Sequence, residues 1–511
     1  MASSLVRGKY VVCKVIDDGS SEIIHDGAVF QRDGEIIEVG RYRDLKARHE
    51  PDEEIGSADF VVIPGLVNAH HHMGLTPFQL GSPDMALEPG IFARWASRRV
   101  DPYLDTLYCA LEMIESGITT VMHNQSMARL PSDAGIYESS ARMIDAYEDA
   151  GMRVAFSLYA RDQHLFTYED DEGFLARLPA ELRARVRAGV KTGAVSLDVL
   201  LSASAELVAN RSSARTRILI SPHNVHWCSD AMLLAIKEFA ERHTIGIHIH
   251  LLETAYQKTF GDRLYGKTSL AHLEELGFLG PEVSCAHGVW LTESDFDILA
   301  GTGTMICHNP SSNLRLSSGI APINRLLARG VTVALGIDEA GINDDNDILQ
   351  EMRLAQKIHH EPGVGNTGPT SHQLLDMATR NGSKATLFEG ETGTLEPGKR
   401  ADMALVSLKR ISEPYLHPDT NVVDALLYRG KGVDVDTVIV DGEVLLRGRE
   451  FTKVNKAEVA SALRDSMAVT DVSASEVHSA LNKDLLPHVE RWFAGQALPG
   501  GSPHYRYNAI G

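Results

Sequence analysis

The stretch VVIPGLVNAHHHMG, residues 61–74, joins an apolar strand pattern to three consecutive histidines. Successive side chains of a strand point to opposite faces, so His70 and His72 share one face while His71 points the other way. Two of the three imidazoles can therefore reach one metal ion. Pairs of core or surface histidines show the same spacing, so a metal site requires further ligand candidates elsewhere in the chain.

Seven further strand-like runs follow this stretch and are separated by longer helical patterns. Residues 230–243 and 323–330, for example, have the apolar spacing of amphipathic helices. Eight strands that alternate with helices are typical of a (β/α)8 barrel, an α/β fold of the TIM type whose active sites lie at the C-terminal ends of its strands. The eight runs are VVIPGLVNAHHH (61–72), ITTVMHN (118–124), RVAFSLYA (153–160), RILISPHNV (217–225), IGIHIHLLE (245–253), EVSCAHGVW (282–290), TMICHNP (304–310) and VTVALGIDE (331–339).

Both ends of the chain differ from this central region. Short strands and Asp-Gly turns occur on each side of it, so we expect the two ends to build one small β-sandwich domain into which the barrel is inserted. After residue 451 the pattern becomes helical, and the sequence leaves open whether this segment packs on the barrel, caps the site or reaches a neighbouring subunit. The predicted domains are 1–63 with 394–450 for the β-sandwich, 64–393 for the barrel and 451–511 for a helical C-terminal extension.

The composition excludes several classes of partner. The 511 residues include 49 Lys plus Arg and 69 Asp plus Glu, which gives a net charge of -20 and disfavours nucleic acid and anionic membranes. Five scattered cysteines without a CxxC pair fit a reducing compartment. No export signal and no membrane-spanning stretch is evident, so we expect a soluble, cytoplasmic protein with a small-molecule substrate.

Polar side chains gather where the predicted strands end. Imidazole and carboxylate groups suit a divalent ion such as zinc or ferrous iron, and a catalytic site keeps one position open for water. A single histidine of this kind is usually a satisfied core or rim residue, but coincidence at so many strand ends favours a shared site. These residues are His70 and His72 on the first strand, His123 on the second, His223 on the fourth, His250 on the fifth, His287 on the sixth, His308 on the seventh and Asp338 on the eighth.

Two carboxylates have positions that suit proton transfer. Glu253 lies three residues beyond His250, where the strand opens into its loop, and can reach a bound substrate. Asp338 follows an apolar run and can both bind the metal and accept a proton from water. The alternatives are a solvated loop glutamate for Glu253 and a helix N-cap for Asp338.

Four stretches resemble the amidohydrolase superfamily, in its branch of cytosine deaminase-like, triazine hydrolase and methylthioadenosine/adenosylhomocysteine deaminase enzymes. The resemblance covers residues 8–450 and implies a homo-oligomer. The stretches are PGLVNAHHHMG (64–74), HIHLLET (248–254), the segment from AHGVW to DEAG (286–341) and GTLEPGKRADMALV (393–406).

The resemblance also implies roles for individual residues. Glu253 would be the proton shuttle, and His287 would polarise the water or the developing oxyanion, while His71 and His248 would not bind metal. No lysine ends the fourth strand run, which favours one metal over two. The implied ligands of a single zinc or iron ion are His70, His72, His250 and Asp338.

These expectations describe a metal-dependent hydrolase, specifically a deaminase. Metal-bound hydroxide would attack an amino-bearing carbon of a nitrogen heterocycle and release ammonia. One alternative is a cyclic amide or amidine hydrolase, or a dechlorinase, that uses the same site. Another is a barrel that has lost activity and serves as a scaffold.

Four residues are candidates for substrate contact. Gln79 lies in the loop after the first strand, and His123 and His223 end the second and fourth strands. Relatives usually have Asp-Gly after the eighth strand, whereas this chain has Asp338-Glu339. Glu339 adds a carboxylate near the mouth of the barrel, where it would select a cationic or amino-bearing substrate or remain solvated.

Overall fold

The computed structural model describes nine segments of the chain. Residues 470–471 and 499–511 of the predicted C-terminal extension lie outside them. The described segments are residues 3–16, 19–72, 74–95, 100–126, 135–189, 196–339, 341–365, 368–469 and 472–498.

The strands form two sheets of eight strands each. In chain order the strands are β1 (Ser3–Val15), β2 (Ser21–Arg32), β3 (Glu35–Arg41), β4 (Glu53–Pro64), β5 (Leu66–His71), β6 (Ile118–Ser126), β7 (Arg153–Ala160), β8 (Thr216–Pro222), β9 (Ile247–Leu251), β10 (Val283–His287), β11 (Met305–His308), β12 (Val333–Leu335), β13 (Met403–Ser407), β14 (Val435–Val440), β15 (Glu443–Arg447) and β16 (Glu450–Phe451).

Helices fill most of the connections between strands. In chain order the helices are α1 (Tyr42–Arg48), α2 (Leu87–Trp95), α3 (Pro102–Glu115), α4 (Ile136–Ala150), α5 (Asp171–Ala176), α6 (Ala180–Gly189), α7 (Leu197–Arg211), α8 (Asp230–His243), α9 (Ala255–Tyr265), α10 (Ser269–Glu275), α11 (Glu293–Thr302), α12 (Pro310–Arg315), α13 (Ile323–Ala328), α14 (Ile348–Ile358), α15 (Ser371–Met377), α16 (Arg380–Ala385), α17 (Leu408–Ser412), α18 (Val422–Arg429), α19 (Lys456–Val469) and α20 (Val472–Ala494).

Strands β5 to β12 form a barrel. Each pairs in parallel with its neighbour in chain order, and all residues of β5, β9 and β10 are buried, as expected for a parallel sheet covered by helices. The N–H of Asp338 donates to the carbonyl of His70 (2.9 Å), and the N–H of Ile337 donates to the side-chain oxygen of Asn68 (3.0 Å). These bonds join the two ends of the barrel. The eight predicted strand runs match these strands, and the predicted (β/α)8 barrel is confirmed.

The second sheet combines both ends of the chain, as predicted. Its order is β16-β15-β14-β13-β4-β1-β2-β3, and β13 pairs antiparallel with β4, so that Met403 faces Pro64. Hydrogen bonds join all eight strands into one continuous sheet. Branched and other apolar side chains on one face form the core of this domain, among them Val6, Val62 and Leu405.

A buried ion network connects this sheet to the barrel. Arg153, at the start of β7, donates to Asp402 (2.6 Å) and to Asp441 (2.5 Å). Arg215 also donates to Asp441 (2.7 Å). Although burial acts against its charge, the carboxylates of Asp402 and Asp441 raise the pKa of Arg153. The arginine therefore remains charged and fixes the N-terminal end of the barrel against the β domain.

The C-terminal helices pack on the barrel helices. Helix α19 contacts α3, and α20 contacts α2 and α6. Leu485 and Val489 of α20 belong to a separate apolar cluster that also contains Phe92 of α2, and the Asn482 side chain donates to the Phe92 carbonyl (2.7 Å). The described part of the extension thus packs against helices that follow the first and third barrel strands.

Two further expectations can be compared with the described residues. All five cysteines are buried and free of disulfide bonds. Among the helices of the described segments, none combines the length and the hydropathy that crossing a membrane requires.

Candidate functional site

Four predicted ligands converge at the C-terminal end of the barrel. Nε2 of His72 lies 3.0 Å from Nε2 of His250, and Oδ1 of Asp338 lies 3.6 Å from Nε2 of His70 and 3.5 Å from Nε2 of His72. Three overlapping groups have potential ligand atoms within 4.8 Å of one another. These groups are His70, His72 and His250; His70, His287 and Asp338; and His72, Asp338 and Glu339.

The chemistry of these donors fits a divalent metal ion. Within the described segments, Nε2 of His70 and Oδ1 of Asp338 are buried atoms without a hydrogen-bond partner. Leaving such atoms unsatisfied costs free energy, which a metal bound between them would recover. Imidazole and carboxylate ligands suit zinc and iron alike.

Contacts behind the ligands orient each imidazole. Nδ1 of His72 donates to the Asn124 carbonyl (2.6 Å), and Nδ1 of His250 donates to the His223 carbonyl (2.7 Å). Both rings therefore carry their proton on Nδ1 and present an unprotonated Nε2 to the centre. Nδ1 of His70 lies 2.8 Å from Nε2 of His248.

Burial favours the neutral form of His70 and His250. Desolvation lowers the pKa of His70 and His250 well below the usual value, and the neighbouring imidazoles lower it further. A neutral imidazole is the form that binds metal. At neutral pH these imidazoles can therefore bind a cation.

His287 and Glu253 lie beside this centre. Nε2 of His287 is 3.7 Å from a Glu253 oxygen and 3.9 Å from Oδ2 of Asp338. Nδ1 of His287 donates to the Asn313 side chain (2.9 Å), so Nε2 faces the reaction centre. Ser312 donates to Oδ2 of Asp338 (2.5 Å) and leaves Oδ1 toward the histidines.

Backbone strain accompanies this arrangement. His287 has φ +76° and Asp338 has φ +64°, in the left-handed region that residues with a side chain rarely adopt. Such conformations cost about 1–3 kcal/mol and concentrate at functional sites. Gly336 allows a close approach here, because a Cβ at that position would lie 2.9 Å from Cβ of His70.

His71 and His248 occupy supporting positions. Nδ1 of His71 donates to the Asp338 carbonyl (3.1 Å), and its Nε2 lies 3.3 Å from the Cys109 thiol. Nδ1 of His248 lies 2.7 Å from the Ser284 hydroxyl. Neither histidine belongs to the three ligand groups found in the described segments.

Two predicted substrate contacts lie away from the centre. His123 is buried and bonded on both ring nitrogens, to Tyr147 of α4 (2.8 Å) and to Gln125 (3.1 Å). It therefore sits between the barrel and its outer helices. Gln79 is exposed, and its side-chain oxygen accepts from the N–H of Thr76 (2.9 Å) within its own turn.

The other two predicted contacts lie at the mouth. The ring of His223 packs among aromatic side chains. Its centroid lies 4.5 Å from the ring centroid of Tyr159, 4.3 Å from that of Trp227 and 5.5 Å from that of His250. A carboxylate oxygen of half-buried Glu339 lies within 4.8 Å of ligand atoms of His72 and Asp338.

Sequence reasoning missed Ser312 and Asn313, which hold Asp338 and His287. They lie in the segment that carried the family resemblance, within the largely polar run HNPSSN (308–313), and nothing in that run distinguishes them from the polar residues beside them. It also missed Glu88 of α2, which accepts from the Tyr168 hydroxyl (3.0 Å) and from Thr254. Burial raises the pKa of Glu88, and no motif surrounds it.

The sequence matches a known protein family and named relatives. The model of the amidohydrolase family matches residues 61–445. A 5'-deoxyadenosine deaminase of Methanosarcina mazei is 33% identical over 469 residues, which cover 90% of this chain and 96% of the relative. A 5-methylthioadenosine/S-adenosylhomocysteine deaminase of Desulforudis audaxviator is 32% identical over 468 residues and covers 89% of this chain and 96% of its own length.

A solved structure shares the fold. An adenosine deaminase from Xanthomonas campestris with bound zinc superposes with a TM-score of 0.75 at 24% identity, over 91% of this chain and 98% of that chain. The family match spans the barrel together with parts of the β domain, and it contains all four proposed metal ligands as well as Glu253 and His287. This chain is an enzyme of the amidohydrolase family.

Proposed function

We propose that this enzyme is a metal-dependent hydrolytic deaminase that removes an amino group from a carbon of a nitrogen heterocycle and releases ammonia. The observation that carries the proposal is the convergence of His70, His72, His250 and Asp338 beside two groups suited to proton transfer. An inactive scaffold would have no need to retain the strained backbone at Asp338.

One divalent ion, zinc with iron as the alternative, is held by these four residues in the proposal. When bound, such an ion lowers the pKa of a water molecule from 15.7 to roughly 7 and so makes hydroxide available at neutral pH. Asp338 has one oxygen fixed by Ser312 and the other turned to the histidines. This geometry suits it to accept the proton of the attacking water.

Glu253 and His287 complete the proton transfers. The carboxylate of Glu253 lies beside His287, at the opening of the barrel, and we assign it protonation of the ring nitrogen next to the attacked carbon. Nε2 of His287 accepts a hydrogen bond from the water, takes the second proton of that water, and then donates a hydrogen bond to the oxygen of the tetrahedral centre. Such a donor contributes about 3 kcal/mol in other enzymes.

His223 and Glu339 are the substrate contacts that the geometry supports. The ring of His223 can pack against a flat heterocycle, because it already lies among aromatic rings above His250. Gln79 stays a weaker proposal, since its side-chain oxygen is used within its own turn. We do not assign a substrate contact to His123, which is bonded on the outer side of the barrel.

The named relatives point to the substrate class. Two relatives that align over about nine tenths of this chain are named as deaminases of 5'-deoxyadenosine and of 5-methylthioadenosine/S-adenosylhomocysteine. We therefore propose an adenine nucleoside as the first substrate to test. Zinc is the first metal to test, because the structurally similar adenosine deaminase has zinc bound.

The decisive experiment measures ammonia release by purified enzyme of known metal content. The panel should contain adenine nucleosides, aminopterins, aminopyrimidines and aminotriazines, with a chlorotriazine and a cyclic amide to detect the alternative reactions. Ammonia release from at least one amino-heterocycle, lost in Asp338→Asn and kept in the exposed control Asp419→Asn, supports the proposal. If the enzyme turned over only the chlorotriazine or only the cyclic amide, the proposal would be wrong and a dechlorinase or a cyclic amide hydrolase would take its place.

Cytoplasmic location and homo-oligomeric assembly are also proposals. Five buried, free cysteines and the absence of a CxxC pair support a reducing compartment. Cell fractionation tests the location, and light scattering of the purified protein tests the assembly.

A further inference from the structure

Helix α20 lies outside the family match, which ends at residue 445. It contacts α2 and α6, in the connections that follow the first and third barrel strands. Its buried residue Phe493 belongs to an apolar cluster with Trp227 and Phe260, which lie in the connections after the fourth and fifth strands. The C-terminal extension therefore takes part in a second core, built on connections that leave the end of the barrel where the site lies.

A short series of buried contacts links Phe493 to the peptide that carries Glu253. The ring of Phe493 packs edge-to-face against the ring of Tyr168, with centroids 5.4 Å apart. The Tyr168 hydroxyl donates to Oε1 of Glu88 (3.0 Å), and the Thr254 hydroxyl donates to the same oxygen. Thr254 directly follows Glu253 in the chain. Helix α20 is thus connected to the proposed proton-transfer group through one tyrosine and one glutamate.

The peptide around Glu253 is held from two sides. On one side, the Leu252 carbonyl accepts from the N–H of Val289 (3.1 Å), just beyond β10. On the other side, the Thr254 hydroxyl bonds to Glu88, which lies 166 residues away in the chain. Glu88 therefore ties this peptide to a separate connection of the barrel.

Burial makes the tie hard to replace. Glu88 is 2% exposed and Tyr168 is 1% exposed, so water cannot take the place of the carboxylate oxygen. Buried hydroxyl groups without a partner cost free energy, so loss of that oxygen would favour a shift of both hydroxyl groups toward other acceptors. A shift of Thr254 moves its neighbour Glu253, whose carboxylate lies 3.7 Å from Nε2 of His287.

We propose that Glu88 is a positioning residue for Glu253, and that helix α20 supports it by packing Phe493 against Tyr168. The inference rests on the proposed deaminase function, in which Glu253 protonates the ring nitrogen of the substrate. Glu88 transfers no proton itself. It fixes the Thr254 hydroxyl, and it matters because a displacement of about 1 Å in a reacting group can cost about 10²-fold in rate.

The test is a double-mutant cycle with Glu253→Gln. The variants Glu88→Leu, Glu88→Gln and Phe493→Leu are made in wild type and in Glu253→Gln, and kcat is measured for the amino-heterocycle that wild type turns over fastest. Phe174→Leu is the matched control, because Phe174 is buried in the same apolar cluster but stacks on Phe166, with ring centroids 5.5 Å apart. Metal content and urea unfolding are measured in parallel.

We expect Glu88→Leu to lower kcat by about 10–100-fold in wild type and by less than about twofold in Glu253→Gln, where the positioned group is already absent. Glu88→Gln keeps an acceptor oxygen and should restore kcat to within about threefold of wild type. Phe493→Leu should lower kcat by about fivefold, again only when Glu253 is present, whereas Phe174→Leu should stay within about twofold.

Equal losses from Glu88→Leu in both backgrounds would show that Glu88 acts on the fold as a whole, and would overturn the inference. Wild-type kcat in Glu88→Leu or in Glu253→Gln would also overturn it. If Glu88→Leu does not fold, the cycle with Phe493→Leu decides, and equal losses in Phe493→Leu and Phe174→Leu then count against the inference. All these results leave the deaminase function intact, whereas a wild type that releases no ammonia from any amino-heterocycle would overturn that function and the inference with it.

Discussion

The backbone N–H of Asp338 donates to the carbonyl oxygen of His70 across 2.9 Å. This bond joins the last barrel strand to the first, and both residues also direct a side-chain ligand atom into the centre, 3.6 Å apart. Closure of the barrel and assembly of the site therefore depend on the same pair of residues.

Metal removal should abolish activity. A bound divalent ion contributes several kcal/mol to the reaction, so chelator-treated protein should lose at least about a thousandfold in kcat/KM and regain it when zinc or iron is added. Asp338→Asn should lose metal as well as activity. Asp419→Asn is the matched control, because the Asp419 side chain is 91% exposed. Full activity of metal-free protein would falsify the proposed mechanism.

Glu253→Gln should lower kcat without releasing the metal. Glu253 belongs to none of the three ligand groups of the described segments, and proton transfer by a positioned side chain contributes about 10²–10⁴-fold. Metal analysis and steady-state kinetics check this. A variant that kept wild-type kcat would show that another group protonates the substrate.

His287→Asn should lower kcat by about 10²–10³-fold, as expected for the loss of one donor to the oxyanion. Asn313→Ala should have a smaller effect in the same direction, because it frees Nδ1 of His287 from the bond that orients the ring. Ser311→Ala is the control, since Ser311 bonds to Glu351 and not to His287. Equal kcat in wild type and Asn313→Ala would show that Asn313 does not orient the ring of His287.

Arg153→Met should destabilise the protein by about 3–5 kcal/mol, because Asp402 would keep a buried charge without the cation that faces it. Arg177→Met is the matched control. Arg177 pairs with Glu169 while 58% exposed, and such surface pairs contribute about 0–1 kcal/mol. Urea unfolding measures both free energies, and similar values would show that the network is dispensable.

His123 should make the folded state sensitive to acid. Burial lowers the pKa of His123 from 6.5 to about 3. Between these two pH values the unfolded chain binds a proton on this ring, whereas the folded protein does not. This difference leaves the free energy of unfolding unchanged above pH 6.5. As the pH is lowered from 6.5 toward 3, the free energy of unfolding falls by about 1.4 kcal/mol per pH unit. Urea unfolding at pH 7.5 and pH 5 should show a smaller loss in His123→Asn than in wild type.

The same variant tests the position of His123. Because the ring bonds to Tyr147 on the outer side of the barrel, KM of His123→Asn should stay within about threefold of wild type. A large increase in KM with an unchanged free energy of unfolding would indicate that His123 contacts the substrate after all.

The barrel and the ligand residues could be predicted because two simple regularities govern them. Strand alternation puts His70 and His72 on one face, and parallel strands bring their C-terminal ends to one side of the barrel. His250 and Asp338 follow apolar runs at that side, so their convergence did not depend on loop geometry.

The position of His123 could not be predicted, because it depends on strand register. β5 and β6 pair with shifts between Leu66 and Val67 and between Asn68 and His71, and the second shift places His123 opposite the outward-facing His71. Such irregularities leave no mark in a single sequence. The position of Gln79 has a local cause instead, because its side-chain oxygen accepts a hydrogen bond within its own turn.

The supporting contacts could not be predicted because they join distant parts of the chain. Asn313 lies 26 residues from His287, and Ser312 lies 26 residues from Asp338. Arg153 meets Asp402 across 249 residues. Nothing in the local pattern around these residues specifies a partner, which only the closed barrel and the shared sheet supply.

The pairing of β4 with β13 affects how the protein is made in the cell. Roughly 340 residues separate the end of β4 from the start of β13, and ribosomes add about 5–20 residues per second. During some tens of seconds of translation, the nascent chain carries β4 with one edge lacking its partner strand. Open strand edges promote aggregation, so a transcript cut short before residue 403 should yield insoluble product.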